Sequence, residues 1–359
     1  MQKFKILHTE ASMGWGGQEI RVFKEALLFK KHKHWVGIAA HPESKIFENA
    51  KKRGIPVFPV LFKKNSVKNV FSVLRLVKKL DIQILHTHSS WDSWVGALVK
   101  LLYPKIKLVR TRHLSTPVKN HIFNKFLYKF SPDLIITTGD SIKEMLIKNL
   151  KVPENKVFSI PTGIELEKFN PEKVSPTILK KGFTIGTVSV LRSWKGHRYL
   201  LKAVPEIVKN IPNLRVYIVG EGPQRKNLEN LIKELQIADV VKLLGHREDI
   251  PEILASFDLV IHPSTGHEGV PQTVLQALAM KKPVIATSVG SIPQVIKHME
   301  TGYLIPPKKP EAIKDAVLHL YENPELCKLL GEKGHKLVKK EYSSEGMLKK
   351  IEALYQRLY

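Results

Sequence analysis

The sequence predicts an α/β protein made of two doubly wound domains, each with a parallel sheet. Short apolar runs alternate with amphipathic stretches of roughly 10–15 residues along almost the whole chain, which is typical of successive βαβ units. The alternation occurs in two series, separated by a polar segment with two prolines. The chain has 359 residues, more than a single hydrophobic core usually supports. Each series is therefore expected to form one Rossmann-like domain.

The individual elements follow the apolar runs. In the first series we expect strands at residues 4–8, 35–40, 57–60, 82–86, 107–110, 134–137 and 157–160, with helices that include 18–31, 67–80 and 141–150. In the second series we expect strands at residues 184–190, 215–219, 241–244, 259–262 and 284–286, each followed by a helical stretch. Ligands bind at the carboxyl ends of the strands in such folds, so the two carboxyl edges are expected to face one another across a cleft.

The domain boundary is expected in the polar segment 169–176, which lacks periodicity and suits a hinge. This gives a first domain of residues 1–170 and a second of residues 171–342. The last stretch, 343–359, reads as an amphipathic helix with Met347, Ile351, Leu354 and Tyr355 on one face. We expect it to pack back on the first domain.

Composition excludes several classes of protein. Cys327 is the only cysteine, which excludes a disulfide scaffold and a cysteine-based metal site. The first residues contain too short an apolar run for a signal peptide, and no run approaches the roughly 18 apolar residues of a spanning helix. The sequence therefore predicts a cytoplasmic protein.

The net charge of +25 points to a polyanionic partner, which could be nucleic acid, an anionic membrane or a phosphate-bearing substrate. A solvated, lysine-rich surface without such a partner is the alternative. Residues 1–170 carry 30 Lys and Arg against 13 Asp and Glu, whereas residues 171–359 carry 28 against 20. The excess lies mainly in the first half.

The most specific motif follows the predicted strand 259–262. A short polar loop ends in Glu268-Gly269 and passes into an apolar helix, with Pro271 expected as its first residue. The free amides and positive dipole of a helix N-terminus favour an anion such as phosphate, and Gly269 allows a ligand to approach the backbone. Lys282-Pro283-Val284-Ile285-Ala286 starts the next strand, and a small-residue turn at 289–293 follows it.

This motif resembles the signature of the family 4 glycosyltransferases of the GT-B fold. The resemblance implies that Glu268 contacts hydroxyls of the transferred sugar, with the backbone of Gly269 and Val270 beside the donor. The family has a second acidic residue eight positions after the first, which grips the ribose hydroxyls. Gln276 stands there in this chain, and an amide loses the charge-assisted strength of that contact.

Further matches run through both halves in the family's order. Lys195, in the segment 187–197, aligns with the lysine that clamps the donor diphosphate. Val190 replaces the usual arginine, and Arg192 is the candidate to supply that cation. The turn at Gly220 and the base-binding loop at His246 and Arg247 also match.

In the first half, Gly16 and Gly17 resemble the family's Gly-Gly loop, although a plain strand–helix turn would look the same. The resemblance places His88 near the donor sugar and pyrophosphate. His86 is expected to point to the other face of its strand and to serve packing. Arg112 and His113 end another strand and are candidates for acceptor or phosphate binding, with a simple surface cluster as the alternative.

The resemblance implies transfer of a sugar from a nucleotide-diphosphate sugar to a glycan or lipid-linked, lipopolysaccharide-type acceptor, with retention of anomeric configuration. Lys195, Arg192 and helix amides would stabilise the leaving diphosphate, and no metal, cofactor or protein nucleophile is expected. Glu268, His88 and Lys195 are the predicted catalytic residues. A binding-only relative, a sugar-nucleotide epimerase and a nucleic-acid-binding protein remain the alternatives.

Two segments of the first half, 70–80 and 121–130, mix apolar, aromatic and basic residues. Such stretches can lie in an anionic membrane interface, but an α/β domain also needs helices here whose apolar faces are buried. We expect the apolar faces in the core. The basic faces could still contact lipid headgroups, which would place the protein at the inner face of the cytoplasmic membrane.

Overall fold

The computed structural model describes residues 2–62, 67–178, 182–266 and 268–359. The chain forms two compact units. The first comprises Met1–Thr162 together with Glu345–Tyr359, and the second comprises Gly163–Ser344. Each unit is built around its own parallel sheet. The expected pair of Rossmann-like parallel-sheet domains is confirmed.

The first unit contains a seven-stranded parallel sheet with the order β3-β2-β1-β4-β5-β6-β7. Its strands are β1 Lys5–Glu10, β2 Trp35–Ala40, β3 Val57–Pro59, β4 Ile84–Thr87, β5 Lys107–Arg112, β6 Leu134–Thr137 and β7 Val157–Ser159. Its helices are α1 Gly17–Lys31, α2 Lys45–Lys52, α3 Val67–Lys79, α4 Ser90–Leu102, α5 Ile122–Lys125 and α6 Asp140–Leu150, with a π-helical turn at Phe126–Phe130.

The second unit contains a six-stranded parallel sheet with the order β10-β9-β8-β11-β12-β13. Its strands are β8 Thr184–Val188, β9 Arg215–Val219, β10 Val241–Gly245, β11 Leu259–His262, β12 Val284–Thr287 and β13 Tyr303–Ile305. Its helices are α7 His197–Asn210, α8 Arg225–Glu234, α9 Ile250–Ala255, α10 Gln272–Ala279, α11 Ile292–Val295, α12 Pro310–Glu322 and α13 Pro324–Glu341. The last helix of the chain is α14, Ser344–Gln356.

Both sheets place helices on their two faces, so their strands are apolar on both sides. In the first unit, one core lies under α1 and α14, where Phe29, Ile38, Leu348 and Ile351 are buried. The opposite core lies under α3 and α4 and contains Val73, Leu85 and Val99, among others. These two cores hold the sheet and leave its carboxyl edge to loops.

The boundary between the units lies at residues 162 and 163, eight residues before the predicted boundary at 170. The difference has a clear cause. Ile164 forms a backbone bridge with Ser343, and its amide donates to the Tyr342 carbonyl at 2.8 Å. Phe169 is buried in a core of the second unit. Residues 163–170 are therefore structured parts of the second unit and not a free hinge.

The amphipathic C-terminal stretch belongs to the first unit. Met347, Leu348, Ile351 and Tyr355 are buried in the core that also contains strands β1 and β4. Among the described residues, no helix is both long enough and apolar enough to cross a membrane.

Candidate active site

The topological switch of the second sheet lies between the neighbouring strands β8 and β11. The strand that follows β8 is added on one side of this pair, and the strand that follows β11 is added on the other side. Ligands of doubly wound folds bind at the carboxyl ends of such strands. The loops that leave these two strands carry Lys195 and Glu268. Their side chains meet in an ion pair, with 2.6 Å between Lys195 Nζ and Glu268 Oε1. Two predicted catalytic residues, 73 positions apart, are thus brought together.

Three side chains hold a single oxygen of the Glu268 carboxylate. Besides Lys195, the Ser264 hydroxyl donates to Oε1 at 2.5 Å, and His262 Nε2 lies 3.2 Å from it. Burial opposes the charged carboxylate, but the Lys195 ammonium and the His262 imidazole outweigh burial and lower the pKa of Glu268 to about 2. No described side chain donates to Oε2. The site therefore holds a permanently ionised carboxylate with one oxygen fixed and the other open.

Two glycines make this arrangement possible. Gly196 has a φ of 72°, and a Cβ there would lie 1.9 Å from the Pro263 carbonyl oxygen. Gly290 has a φ of 56°, and its Cβ would lie 2.1 Å from the Glu268 carbonyl oxygen. Only glycine combines such backbone angles with such close approach. The loops after β8 and β12 are thereby packed against the loop that carries Glu268.

Helix α10 begins next to the ion pair. It starts at Gln272, one residue later than expected, and Pro271 precedes it in an extended conformation. The Thr273 hydroxyl donates to the Val188 carbonyl at 2.9 Å, which fixes the helix start beside the end of β8. The amides of the first turn have no acceptor within the helix. This N-terminus is suited to bind an anion.

The remaining predicted donor residues of the second unit differ in burial and in which of their groups a ligand could reach. Gln276 is half-buried on α10, and no described residue hydrogen bonds to its side chain. Val270 is buried in a core, so only its backbone and that of Gly269 are available to a ligand. Gly220 follows β9 with a φ of 135°.

The cations predicted for this unit are already engaged. Arg192 is exposed and stacks on Trp194, with 5.0 Å between the guanidinium carbon and the ring centroid. Arg247 pairs with Asp249, its Nε donating to Oδ1 at 2.8 Å, and the neighbouring His246 is exposed. Val190, where the resemblance led us to expect an arginine, is also exposed.

The switch of the first sheet, between β1 and β4, carries a chain of imidazoles. His8 Nδ1 lies 2.9 Å from His88 Nε2, and His88 Nδ1 lies 3.2 Å from His113 Nε2. Burial lowers the pKa of His8 to about 3 and the pKa values of His88 and His113 well below the ordinary value. A neutral imidazole has one N–H, so His88 donates through one nitrogen and accepts through the other. The protonation pattern of all three rings is therefore coupled.

The prediction that His86 points away from His88 is wrong. The two ring centroids are 4.2 Å apart, because side chains two positions apart lie on the same face of a strand. His86 is fully buried and bonds to Thr111 Oγ1 and to the Tyr355 hydroxyl, both at 2.7 Å. The packing role expected for it agrees with these contacts.

One group of possible metal ligands occurs within the described ranges, formed by His8, Glu25, His86 and His88. Both ring nitrogens of His86 and of His88 already have partners. Glu25 is paired with the buried Arg21 guanidinium at 2.6 Å, which disfavours a second cation. The group has the character of a buried hydrogen-bonded network.

The loop after β1 contains Gly16 and Gly17. Gly16 precedes α1, and its amide donates to Glu19 at 2.7 Å. A Cβ at Gly17 would meet nothing within 4 Å, so no internal contact requires glycine there. Glu10 holds the loop by accepting from the Ser12 amide and the Gln18 side chain, and burial raises the pKa of Glu10 to about 8.

The two predicted acceptor-side residues differ in their environment. Arg112 donates to the carbonyl and to the hydroxyl of Thr116, both at 3.0 Å, and thus closes its own loop. His113 is partly buried and ends the imidazole chain.

Several residues of these sites were missed by sequence reasoning. His262 and Ser264 position Glu268, and Asp92 accepts from the amides of His88 and Ser89, both at 2.8 Å. Asp92 could have been recognised from the sequence, since Ser89 and Asp92 have the spacing of a helix capping box. No local pattern identifies His8, because its contact with His88 joins residues that are 80 positions apart in the chain.

Comparison with known proteins covers both halves of the chain. Residues 169–337 match the family model described as glycosyl transferases group 1, and residues 15–168 match the model described as glycosyltransferase family 4. An Escherichia coli enzyme, UDP-Gal:alpha-D-GlcNAc-diphosphoundecaprenol alpha-1,3-galactosyltransferase, is 31% identical over 258 residues, which cover 67% of this chain and 66% of that enzyme. An exopolysaccharide phosphotransferase of Streptomyces coelicolor is 26% identical, but the match covers 29% of that longer protein.

Solved structures agree with the sequence matches. A glycosyltransferase from Rickettsia africae has a TM-score of 0.90 at 22% identity over 99% of each chain. Anabaena HepE, solved in complex with UDP, has a TM-score of 0.86 at 19% identity over 98% of this chain and all of that one. These likenesses confirm the expected GT-B fold.

Proposed function

Since the chain belongs to the group 1, family 4 glycosyltransferases, we propose that it transfers a sugar from a nucleotide-diphosphate sugar to a glycan or lipid-linked acceptor with retention of configuration. The observation that carries the proposal is the Lys195–Glu268 pair at the switch point of the second sheet. It sets an ammonium, an ionised carboxylate and a helix N-terminus within one small region. A sugar diphosphate needs a partner of each kind, for its phosphates and for its hydroxyls.

The diphosphate is proposed to bind between Lys195 and the first turn of α10. Charge builds up on the leaving diphosphate in the transition state, and preorganised donors aimed at that charge lower the barrier. Lys195 is bound to Glu268 in the free protein, so donor binding would draw its ammonium toward the phosphates. Arg192, which is exposed on Trp194, is the second cation within this loop.

Glu268 is proposed to position the transferred sugar. With a pKa of about 2 it stays ionised throughout the physiological range, so it can accept hydrogen bonds from sugar hydroxyls but cannot donate a proton. Its open oxygen, Oε2, is the acceptor. On this proposal Glu268 is no nucleophile, and the incoming hydroxyl attacks from the face that the diphosphate leaves.

The rest of the donor has further proposed contacts. Gly220, His246, Arg247 and Gln276 lie on loops and a helix of the second unit and are proposed for the nucleoside side. UDP is supported as the nucleotide by the HepE complex. No metal or cofactor is proposed, because Lys195, Arg192 and the helix amides supply the positive charge.

The first unit is proposed to contribute His113, Arg112 and the Gly16-Gly17 loop. His88 was predicted to touch the donor, but both of its ring nitrogens are bonded to imidazoles. We therefore assign it a positioning role, in which it fixes the tautomer and orientation of His113. The open space at Gly17 would allow a substrate to approach the backbone.

A lipid-linked acceptor is supported by the Escherichia coli relative, whose name specifies a diphosphoundecaprenol-linked acceptor. The positive excess of the first half also suits an acceptor in an anionic membrane. On this proposal the protein acts as a peripheral protein at the cytoplasmic membrane face, in assembly of a lipopolysaccharide-type glycan of the cell envelope.

A binding-only protein is the second candidate, and Gln276 and Val190 favour it because each replaces a charged residue of the family pattern. The test is a thermal-shift screen with nucleotide-diphosphate sugars, followed by measurement of nucleotide release with the best binder. We expect Glu268→Gln and Lys195→Met each to lower turnover at least about tenfold. Glu206→Gln, which removes an exposed carboxylate paired with Lys209, is the matched control. Donor binding without turnover would establish the second candidate instead.

A further inference from the structure

Helices α3, α4 and α5 of the first unit leave large apolar side chains in solvent. On α3, Val67 and Phe71 are 66% and 60% exposed. On α4, Leu101 and Leu102 are 66% and 53% exposed, and on α5, Ile122 and Phe123 are 67% and 63% exposed. The inner faces of α3 and α4 are buried as expected, for example at Val73, Val77 and Val99. Helix α5 has no buried residue, so the expectation that its apolar face lies in the core is wrong. The apolar residues on the outer side of these helices are therefore not covered by the core.

These three helices are neighbours in the first unit. Helices α3 and α4 pack side by side, and Lys78 of α3 lies over the ring of Tyr103 at the end of α4, 5.6 Å from its centroid. Trp94 of α4 packs edge-on against Phe123 of α5, with 6.2 Å between the rings. We define the basic–apolar face by its exposed residues: Val67, Phe71, Arg75, Lys78, Leu98, Leu101, Leu102, Lys105, Ile122 and Phe123.

The charge on this part of the chain is predominantly positive. Residues 67–131 contain 12 Lys and Arg against two acidic residues, and one of these, Asp92, is buried as a helix cap. Phe71 and Leu74 share a shallow groove of about 500 Å³ with Arg75, Lys78 and Lys79. Apolar side chains therefore stand directly beside cations.

We propose that the basic–apolar face docks on an anionic lipid bilayer, with its Phe, Ile and Leu side chains in the interface and its cations on lipid phosphates. Exposed apolar surface with a basic rim is the composition of interfacial membrane-binding elements. This inference rests on the proposed membrane-linked acceptor and names the surface that would deliver the enzyme to it. Nucleic acid is the other polyanion, but it offers no apolar phase for the seven exposed apolar side chains of this face.

The test is co-sedimentation of the full chain with vesicles of phosphatidylcholine alone or with about 30 mol% of the anionic lipid phosphatidylglycerol added. We expect binding to the anionic vesicles that weakens with salt. Arg75→Gln/Lys78→Gln should lower the partition coefficient about 25-fold, at about fivefold per cation. Phe71→Ser/Leu101→Ser should lower it at least about tenfold.

Matched controls come from the second unit. Lys202→Gln/Lys233→Gln removes two exposed cations, and Leu329→Ser removes an exposed apolar side chain. Both should bind vesicles like the parent chain, and circular dichroism checks that every variant is folded. Equal binding of all variants, equal binding to both vesicle types, or binding to RNA in place of vesicles would overturn the proposal.

Nucleotide release in solution separates this proposal from the proposed function. The four face substitutions lie outside the candidate active site, so they should leave release from the donor alone unchanged. If the parent chain binds anionic vesicles through this face but turns over no donor, the glycosyl-transfer proposal fails and the docking face stands. If donor turnover is intact and vesicle binding is absent, the docking face fails alone.

Discussion

Removing one partner of the Lys195–Glu268 pair should destabilise the second unit, and removing the charge of both should not. Lys195→Met leaves the Glu268 carboxylate buried with only Ser264 and His262 as partners. An unpaired buried charge is costly, whereas a neutral pair of similar shape is not. Adding Glu268→Gln to Lys195→Met should therefore restore most of the lost stability. It should not restore turnover, because both substrate contacts are gone.

The magnitude follows from the pKa of Glu268. Burial raises this pKa, whereas the Lys195 ammonium and the His262 imidazole lower it, and the balance takes it from 4.5 to about 2. At about 1.4 kcal/mol per pKa unit, the folded state gains about 3 kcal/mol at neutral pH from keeping the carboxylate ionised. This contribution is present above pH 4.5 and is lost as the pH falls toward 2. We expect Lys195→Met to cost about 3 kcal/mol and the double variant less than about 1 kcal/mol.

Cys327 provides an assay for this unit alone, because it is the only thiol in the chain and lies in α13. Burial raises its pKa to about 11, so the folded thiol reacts slowly at pH 8. Pulse labelling across a urea series then gives the free energy of unfolding of the second unit for each variant. Equal losses in Lys195→Met and in the double variant would refute the coupling of the two charges.

Three further predictions concern other parts of the sites. Gln276→Glu should tighten UDP binding measured by calorimetry, because a carboxylate makes stronger hydrogen bonds to ribose hydroxyls than an amide does; unchanged or weaker binding would exclude the ribose role. Gly196→Ala should lower the free energy of unfolding measured through Cys327 by at least about 1–2 kcal/mol, because residue 196 has a left-handed φ and a Cβ there would clash with the Pro263 carbonyl. A variant as stable as the parent chain would contradict the packing described for this turn. In nitrogen-15 spectra of histidine-labelled protein, the His8 ring should stay neutral from pH 7 down to about pH 4, because its pKa is about 3; protonation near pH 6 would show that the imidazole chain is hydrated.

Most of the architecture could be predicted from the sequence, because the short apolar runs are separated by amphipathic stretches or turn residues. All 12 expected strands occur, and β2, β6, β9 and β11 have the expected bounds. Strand β13 was missed, since Tyr303–Ile305 is three residues long and lies in a segment that reads as a turn. Its pairing with β12 comes from the sheet and not from local sequence.

The candidate site could be predicted only in part from the sequence. Lys195 and Glu268 were found through the motifs around them, but their direct contact depends on loop packing that no local pattern encodes. The role we propose for His88 differs from the expected donor contact, because its partners are His8 of β1 and His113, which follows β5. The exposed outer side of α3 shows a similar limit, because periodicity identifies the apolar residues but not how many the core can cover.

The return of α14 to the first unit sets an order for folding during synthesis. Gly163–Ser344 is one continuous stretch, so the second unit has all of its chain before α14 is made. The first unit, although its first strands are translated earlier, lacks Leu348, Ile351 and Tyr355 from its core until α14 has left the ribosome. His86 then gains its hydroxyl partner from Tyr355. Nascent chains should therefore acquire protease resistance in the second unit before the first, the reverse of the usual N-to-C order.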